Sequence, residues 1–430
     1  MKVKVIGAGL AGIEAAYYLA NKNIKVELYE MRPYKYTEAH KTPLFAELVC
    51  SNSLRSNDPL NAVGMLKNEL ITLDSLVMEA ALKTQVEAGS SLAVDRTLFS
   101  TYITGKIINH PNIKIIHEEV KEIDINIPTI IATGPLISKP LQKHLKELLK
   151  LDEMHFFDAV APIVEESSIN KDICYLKSRY DKGEAAYLNC PMTYDEYKNF
   201  YEALVSAEVV PLKSFEENVF EGCLPIEVMA KRGFKTLTFG PLKPVGLERD
   251  GKKPYAVVQL RQDDALKSMY NLVGFQTNLK YGEQKRIIKM IPGLENANIL
   301  RYGVMHKNTY FNSPKVLNSL YQVKEIPNLF IAGQLSGVEG YVESASSGLS
   351  AGYHMYKYIN KLDTKPFPDT TIIGALAKYI STPNSNFNQM NANLGLLRPL
   401  GPHKKKDRKE LYKKRSEETL GEYLNGWKNN

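Results

Sequence analysis

The sequence predicts an α/β protein, a Rossmann-type dinucleotide-binding domain interrupted by an inserted α+β domain. Three observations carry this prediction. The run Gly7-Ala8-Gly9-Leu10-Ala11-Gly12 follows an apolar strand pattern at residues 2–6 and opens a helical one. A related strand-to-helix texture, LFIAG and then VEGYVESASSGLSAG, returns near residue 329. Between them, from about 160 to 300, short apolar runs alternate with Pro/Gly turns such as NCPMT, FGPLKPVG and KKPYAVVQL, the pattern of a separate mixed core.

The first unit reads as strand KVKVI, a glycine turn, a helix from about Ile13 to Ala20, and a second strand from Ile24 to Tyr29 that ends at Glu30. A GxGxxG alone has little specificity. Here it joins strand to helix and is followed 18 residues after Gly12 by an acid, the context that the dinucleotide fingerprint requires. Gly7 permits the tight turn, Gly9 lets the backbone approach a pyrophosphate, and Gly12 lets helix and strand pack closely. Ala8, Leu10 and Ala11 complete a loop whose helix start offers unpaired N–H groups and a positive dipole to phosphate. Glu30 is positioned for ribose hydroxyls, and Arg32 follows it in YEMRP. A glycine turn without a ligand is the competing reading, and the strand–helix–strand context opposes it.

Residues 110–135 read as strand segments ending TIIATGP, 141–152 as an amphipathic helix, and 370–398 as a closing helix and loop. The first unit does not distinguish FAD from NAD. The strand ending Ala132-Thr133-Gly134 and the late strand ending Ala332-Gly333-Gln334 resemble the second and third elements of two-dinucleotide-fold flavoproteins. That resemblance implies FAD, with Thr133, Gly134 and Gly333 beside it and Gln334 near its ribityl chain. No second GxGxxG occurs, so NAD(P)H would bind without its own Rossmann unit. The expected division is 1–157 for the first part of the FAD-binding domain, 158–304 for the insertion, 305–398 for the second part and 399–430 for a basic tail.

Bulk properties narrow the class. No run of 18 apolar residues is present, so no membrane-spanning helix is expected. The glycine spacing and Glu14 argue against a signal peptide at the N-terminus. The four cysteines, Cys50, Cys174, Cys190 and Cys223, have neither metal-type nor redox-type spacing, which points to a reducing cytoplasm and to no metal site. The net charge is +7, and HKKKDRKELYKKR at 403–415 accounts for most of it. Two readings compete there: a solvated, partly helical surface, or a polyanion-binding arm formed by Lys404, Lys405, Lys406, Arg408, Lys409, Lys413, Lys414 and Arg415.

The cysteines differ in context. Cys174, in DICYL, reads as a small buried apolar residue. Cys190, in NCPMT, is ambiguous and has no obvious partner. Cys50 stands among Ser51, Asn52, Ser53 and Arg55, too polar for a core, and Arg55 would either favour a thiolate or form an ordinary salt bridge. Cys223 lies between Gly222 and Pro225, close to Glu221 and Glu227, which suggests a shaped turn.

Longer segments carry a closer resemblance. GAGLAGIEAAYYLA, YEMRP, AELVCSNSLRS, NAVGMLKNEL, FEGCLPIEVMAKRG, PYAVVQLRQD, RYGVMHKNTYFNSP and AGQLSGVEGYVESASSGLSAG resemble the folate- and FAD-dependent tRNA (uracil-5-)methyltransferases of the TrmFO type. The likeness runs from Val3 to about Leu397. GidA-type wobble-uridine modifiers share the first and last elements but lack the FEGC segment. The resemblance implies that methylenetetrahydrofolate supplies carbon, FAD carries it and the reducing equivalents, and NAD(P)H reduces the flavin. The substrate it implies is the T-loop uridine of tRNA, with a uridine of 23S ribosomal RNA as the alternative.

Cys50 and Cys223 match the family's catalytic pair. Uracil C5 is a poor nucleophile until a thiolate adds to C6, and its proton must later leave to a base. Cys223 is assigned as nucleophile and Cys50 as base or acid. Presenting the uridine requires flipping it out, with Arg179, Tyr180, Phe275 and Tyr281 as candidate holders and Lys280, Lys285 and Arg286 as candidate phosphate contacts. His306 is read as structural. Two other functions compete: a flavin-dependent thiol/disulfide oxidoreductase, which needs a close cysteine pair beside the flavin, and a non-catalytic flavin-containing RNA-binding protein.

Overall fold

The computed structural model describes residues 2–150, 153–181, 184–211, 224–384 and 387–425. Among these, five parallel strands form a sheet in the order Leu329–Ile331, Thr129–Ile131, Lys2–Ile6, Lys25–Tyr29 and Ile113–Ile116. The first strand is central because Val3 and Val5 are apolar and fully buried. The first helix spans Leu10–Asn21, three residues earlier than expected at its start, because the glycine run itself provides its first turn. Gly12 leaves no alternative: a Cβ there would lie 1.8 Å from the Gly7 carbonyl oxygen.

The late Gly/Ser-rich segment forms a helix, Tyr341–Ile359, packed on the first. Small residues allow that approach, since a Cβ at Gly348 would meet the Ala11 carbonyl at 2.0 Å. The expected helix at 141–152 is Lys139–Leu149, burying Leu141, Leu145 and Leu149 on one side. Residues 57–109 carry no clear periodic signal in the sequence. The chain there forms three helices, Ala62–Thr72, Leu76–Lys83 and Arg96–Ile108, and two strands, Ser91–Val94 and Gln85–Val86, that make a small antiparallel sheet with the preceding Ser53–Ser56.

The insertion has its own antiparallel sheet, ordered Tyr175–Leu176, Tyr187–Met192, Ala256–Gln262, Met269–Leu272, Ile163–Glu165 and Ile299–Arg301. Period-two alternation gives it two faces. Leu188, Cys190, Met192, Val258 and Leu260 enter an apolar core with Tyr197, Phe200 and Ile287 from flanking helices. The opposite face carries Tyr187, Asn189, Gln259 and Arg261. A two-stranded antiparallel link, Glu153–Ala159 with Met305–Phe311, joins this region to the parallel sheet. Apolar residues thus gather in two clusters, one from 3–149 with 310–420 and one from 164–297.

One sequence expectation requires correction. Cys190 does have a partner: its Sγ lies 3.3 Å from Cys174 Sγ, both buried in the insertion core. Pairing of Tyr175–Leu176 with Tyr187–Met192 brings the two together across the sheet edge. The basic tail, read as partly helical, is helical from Arg408 and docked on the first part of the fold. Arg408–Asn425 is a helix that buries Tyr412, Ser416 and Leu420 at four-residue spacing. Ser416 donates its hydroxyl to Glu69 at 2.6 Å, and Glu69 also accepts from the N–H groups of Ile372 (2.7 Å) and Ile373 (2.8 Å). Burial pushes that carboxyl up to about 7 despite these bonds.

Candidate functional site

A cavity of about 490 Å³ extends from the glycine turn to the insertion. At one end it is lined by Gly7 to Ala11, Glu30 and Arg32. Thr133, Gly134, Gly333 and Gln334 line its flank, and Cys50, Ser51, Arg261 and Gln276 lie toward the insertion. The residues at the nucleotide end fit a bound dinucleotide. The first helix begins at Gly9 without a side-chain cap, so its leading N–H groups remain available. A Cβ at Gly9 would meet no protein atom within 4 Å, so the space over the turn is open. Thr133 Oγ1 is buried without a hydrogen-bond partner.

Gly7 holds φ +100°, the left-handed region that glycine favours. Gly12 serves packing rather than the cavity, which it does not line. Glu30 differs from the simple expectation. Its carboxylate accepts from Ala8 N–H (3.0 Å), from Arg32 N–H (3.1 Å), and from Arg32 Nε and Nη2, each at 3.0 Å. Burial pushes Glu30 up, but the hydrogen bonds and charge of Arg32 outweigh it and hold the carboxyl below its ordinary range. Arg32 is itself buried and also donates to the Leu44 carbonyl (2.8 Å) and to Glu47 (3.3 Å). This pair therefore fixes the turn to the 42–47 loop. Gln334 donates to Glu339 at 2.8 Å, and Gly333 N–H donates to Ser347 Oγ at 2.7 Å.

Cys50 lies in an irregular segment held from outside. Its N–H and that of Ser51 donate to the Tyr341 hydroxyl at 2.8 and 3.2 Å. Arg96 donates to the carbonyls of Leu48 (2.5 Å) and Cys50 (3.0 Å) while paired with Asp263 at 2.9 Å. Arg301 donates to the Val49 carbonyl, and Arg261 to Ser51 Oγ (2.7 Å) and Asn52 Oδ1 (3.2 Å). Arg96 and Arg301 are close enough to interact with charge at Cys50. Arg55 instead pairs with buried Glu343 at the start of the late helix. Buried Lys67 donates to the carbonyls of Arg55 (3.2 Å) and Ser56 (2.8 Å), and burial lowers it to about 8.

Sequence reasoning missed Arg96, Asp263, Arg301, Tyr341 and Lys67. Arg261 was visible only within PYAVVQLRQD, where nothing indicates which way it faces. Cys223 lies outside the described residues. The chain is described again from Leu224, and Ile226 N–H donates at 2.7 Å to the carbonyl of Gln276, a cavity-lining residue. Of the described cysteines, Cys50 alone lines the cavity; the Cys174–Cys190 pair belongs to the insertion core.

Other candidates separate. Phe275 is fully buried and cannot stack on a base. Arg179 is engaged by the carbonyls of Lys243 and Val245 and by Gln259. Tyr180, with φ +60°, and Tyr281 are about half exposed. Lys280 and Arg286 pair with Glu208 and Glu283. His306 falls in the strand Met305–Phe311. In the C-terminal stretch, Lys404, Lys405, Lys406, Arg408, Lys409 and Lys414 are exposed, Lys413 is half-buried beside Glu417, and Arg415 donates to the carbonyls of Arg398 and Pro399.

A parallel sheet, an uncapped glycine turn and a cavity along the strand ends define a flavoprotein-type Rossmann fold. The solved structure of Aquifex aeolicus GidA in its form II crystal has this fold, with a TM-score of 0.70 at 16% identity over 98% of this chain and 73% of that one. The family model described as Glucose inhibited division protein A (GIDA) matches residues 2–363, and the chain belongs to this family and, within it, to the TrmFO type. A protein of Acholeplasma laidlawii named methylenetetrahydrofolate–tRNA-(uracil-5-)-methyltransferase TrmFO is 61% identical over 425 residues, 99% of each chain. Its namesake in Bacillus subtilis is 59% identical over 424 residues, 97% of each.

Proposed function

We propose that this protein methylates C5 of a uridine in tRNA, with methylenetetrahydrofolate as carbon donor, FAD as its flavin and NAD(P)H as reductant. The observation that carries the reading is the single cavity joining the glycine turn to Cys50 and the polar face of the insertion. FAD, when bound, supplies the reducing equivalents and carries the one-carbon unit. Gly7, Ala8, Gly9, Leu10 and Ala11 form its pyrophosphate cradle, with Gly12 letting the helix pack close behind it, Glu30 and Arg32 border its ribose, and Thr133, Gly134, Gly333 and Gln334 line its remaining length.

Cys223 adds to C6 of the uracil and Cys50 takes the C5 proton. The clamps around residues 48–52 keep that thiol at a fixed place on the cavity wall. Lys404, Lys405, Lys406, Arg408, Lys409, Lys413 and Lys414 contribute phosphate contacts. Among the described residues no helix is long and apolar enough to cross a membrane. The proposed location is the cytoplasm, where the RNA and folate substrates are available.

The test offers tRNA and 23S ribosomal RNA separately, each with methylenetetrahydrofolate and NADPH. Methyl incorporation into tRNA alone is expected; incorporation into ribosomal RNA alone would replace the substrate. A tRNA with 5-fluorouridine at the target should form a covalent adduct, because fluorine does not leave as a proton does. Cys223→Ala should lose the adduct, whereas Cys50→Ala should form it without turning over normal tRNA. The opposite pattern exchanges the two roles.

A further inference from the structure

We propose that Arg261 is a catalytic residue whose guanidinium binds O4 of the target uracil and stabilises the charge that develops there. The inference rests on the methyltransferase reading above and adds to it a residue outside the cysteine pair.

Arg261 is 7% exposed and lines the cavity beside Cys50 and Ser51. It donates to two neutral acceptors, Ser51 Oγ and Asn52 Oδ1, and Tyr187 and Asp263 are close enough to interact with its charge. The nearby acid, Asp263, has both oxygens on Arg96, at 2.9 and 3.1 Å. Arg301 approaches the same segment at the Val49 carbonyl. Three guanidinium groups therefore share the charge of one carboxylate, and the one that reaches the cavity has no carboxylate hydrogen-bonded to it. Burying a cation that no carboxylate bonds directly is costly. The arrangement is one prepared for negative charge that arrives with substrate or develops during reaction.

The reaction supplies such a charge. When a thiolate sulfur bonds to C6, the C5=C6 electron pair moves toward C4 and the negative charge falls on O4. C5 then bonds the methylene carbon as the bond that carried that carbon breaks, and loses its proton to a base; NAD(P)H supplies the two electrons that bring methylene to methyl. The C6–S bond breaks, returning the thiolate. O4 is carried by C4, the neighbour of C5. A group contacting O4 therefore lies next to the group that takes the C5 proton. Arg261 stands in that relation to Cys50, through the adjoining Ser51.

The test uses FAD-loaded enzyme, saturating tRNA tritiated at C5 of the target uridine, methylenetetrahydrofolate and NADPH, in single turnover. Removing an oxyanion donor costs about 100-fold or more. Arg261→Gln should lower the tritium-release rate by that factor with tRNA affinity within about threefold of the parent, and Arg261→Lys should recover about tenfold of the loss. The rate of Cys50 alkylation by iodoacetamide, read by peptide mapping, should stay the same. An unchanged release rate in Arg261→Gln overturns the assignment. So does a loss confined to affinity with a log–log salt slope shallower by about 0.7–0.9, which marks a phosphate contact. A rise in Cys50 alkylation that accompanies the loss of release overturns it too, by reducing Arg261 to a support for the loop. If Arg261→Gln does not fold, Arg261→Lys decides: full parental release overturns the proposal. Absence of release by the parent would instead sink the methyltransferase reading.

Discussion

The glycine turn and the Cys50 segment share one cavity but are built in opposite ways. Gly7 to Gly12 are contiguous, and their geometry follows from one strand, one turn and one helix. The segment 46–52 has no helix or strand of its own. Its backbone groups are held by side chains at positions 96, 301 and 341, and Arg261 grips the side chains of Ser51 and Asn52. A cofactor cradle can be local because phosphate needs only backbone N–H groups and space. A thiol proposed to act on a substrate must be placed relative to it, and the placement of Cys50 depends on elements distant in sequence.

The largest effects should come from breaking either construction outright. Cys50→Ala should abolish tRNA methylation while leaving flavin content normal, measured by absorbance and by methyl incorporation. Gly12→Val and Gly9→Leu should divide the cradle into its two parts. Gly12→Val places atoms against the Gly7 carbonyl, so a loss of about 3 kcal/mol or more is expected in denaturant unfolding. Gly9→Leu meets only open space in the protein, so it should fold normally and be colourless. A yellow Gly9→Leu protein would place the pyrophosphate elsewhere.

The clamp is the next most sensitive point. Arg96→Ala leaves Asp263 buried without its cation and strips two carbonyls of donors, so a loss of about 3–5 kcal/mol is expected. Its Cys50 should also become more readily alkylated. If stability falls but alkylation does not change, the segment is rigid without the clamp.

A smaller, pH-dependent effect concerns the first helix. Glu14 is fully buried, accepts from Ser75 Oγ and from Val77 N–H at 2.7 Å, and is pushed up to about 7 by burial. With a folded value above the unfolded one, its protonated form favours the fold. That contribution is full below about 4.5 and is lost as pH rises through 7. Buried His354, lowered to about 4, acts in the opposite sense, so the difference between variants is the informative quantity. Glu14→Gln should gain on the parent by on the order of 3 kcal/mol between pH 4.5 and 8. A pH-independent difference would mean that the carboxyl titrates normally.

The smallest effect is electrostatic and lies away from the cavity. Deleting the C-terminal helix would remove Leu420 from the core and take the Ser416 hydroxyl from Glu69, so charge removal is the cleaner change. Lys404→Gln, Lys405→Gln and Lys406→Gln together should shallow the salt dependence of tRNA binding, by about 0.7–0.9 in log–log slope for each phosphate no longer neutralised. An unchanged slope would leave this stretch as solvated surface.

Much of the fold was legible because its signals are local. The strand at 2–6, the glycine turn, the second strand, the late strand at 329 and the helix after it all follow from periodicity and turn chemistry within a few residues. The helices at 62–72, 76–83 and 96–108 were not read, although Ser75 and Asp95 cap two of them. Their apolar residues are distributed too evenly for a clear face. Within the site, Cys50 stood out because its polar neighbours contradict a core, whereas Arg96, Arg301 and Tyr341 carry no local mark of their task.

The sequence by itself determined the family and pointed to the nucleotide cradle and to Cys50 and Cys223, since each of these motifs is made of residues close together in the chain. Only the tertiary structure decided that Glu30 and Arg32 lock onto each other, that Cys174 meets Cys190, that the basic tail docks as a helix and that Arg261 faces the cavity. Side-chain alternation shows that a strand has two faces, but not which one meets another domain. That is settled when the two cores pack and each buried polar group must find a partner from whatever the fold brings near.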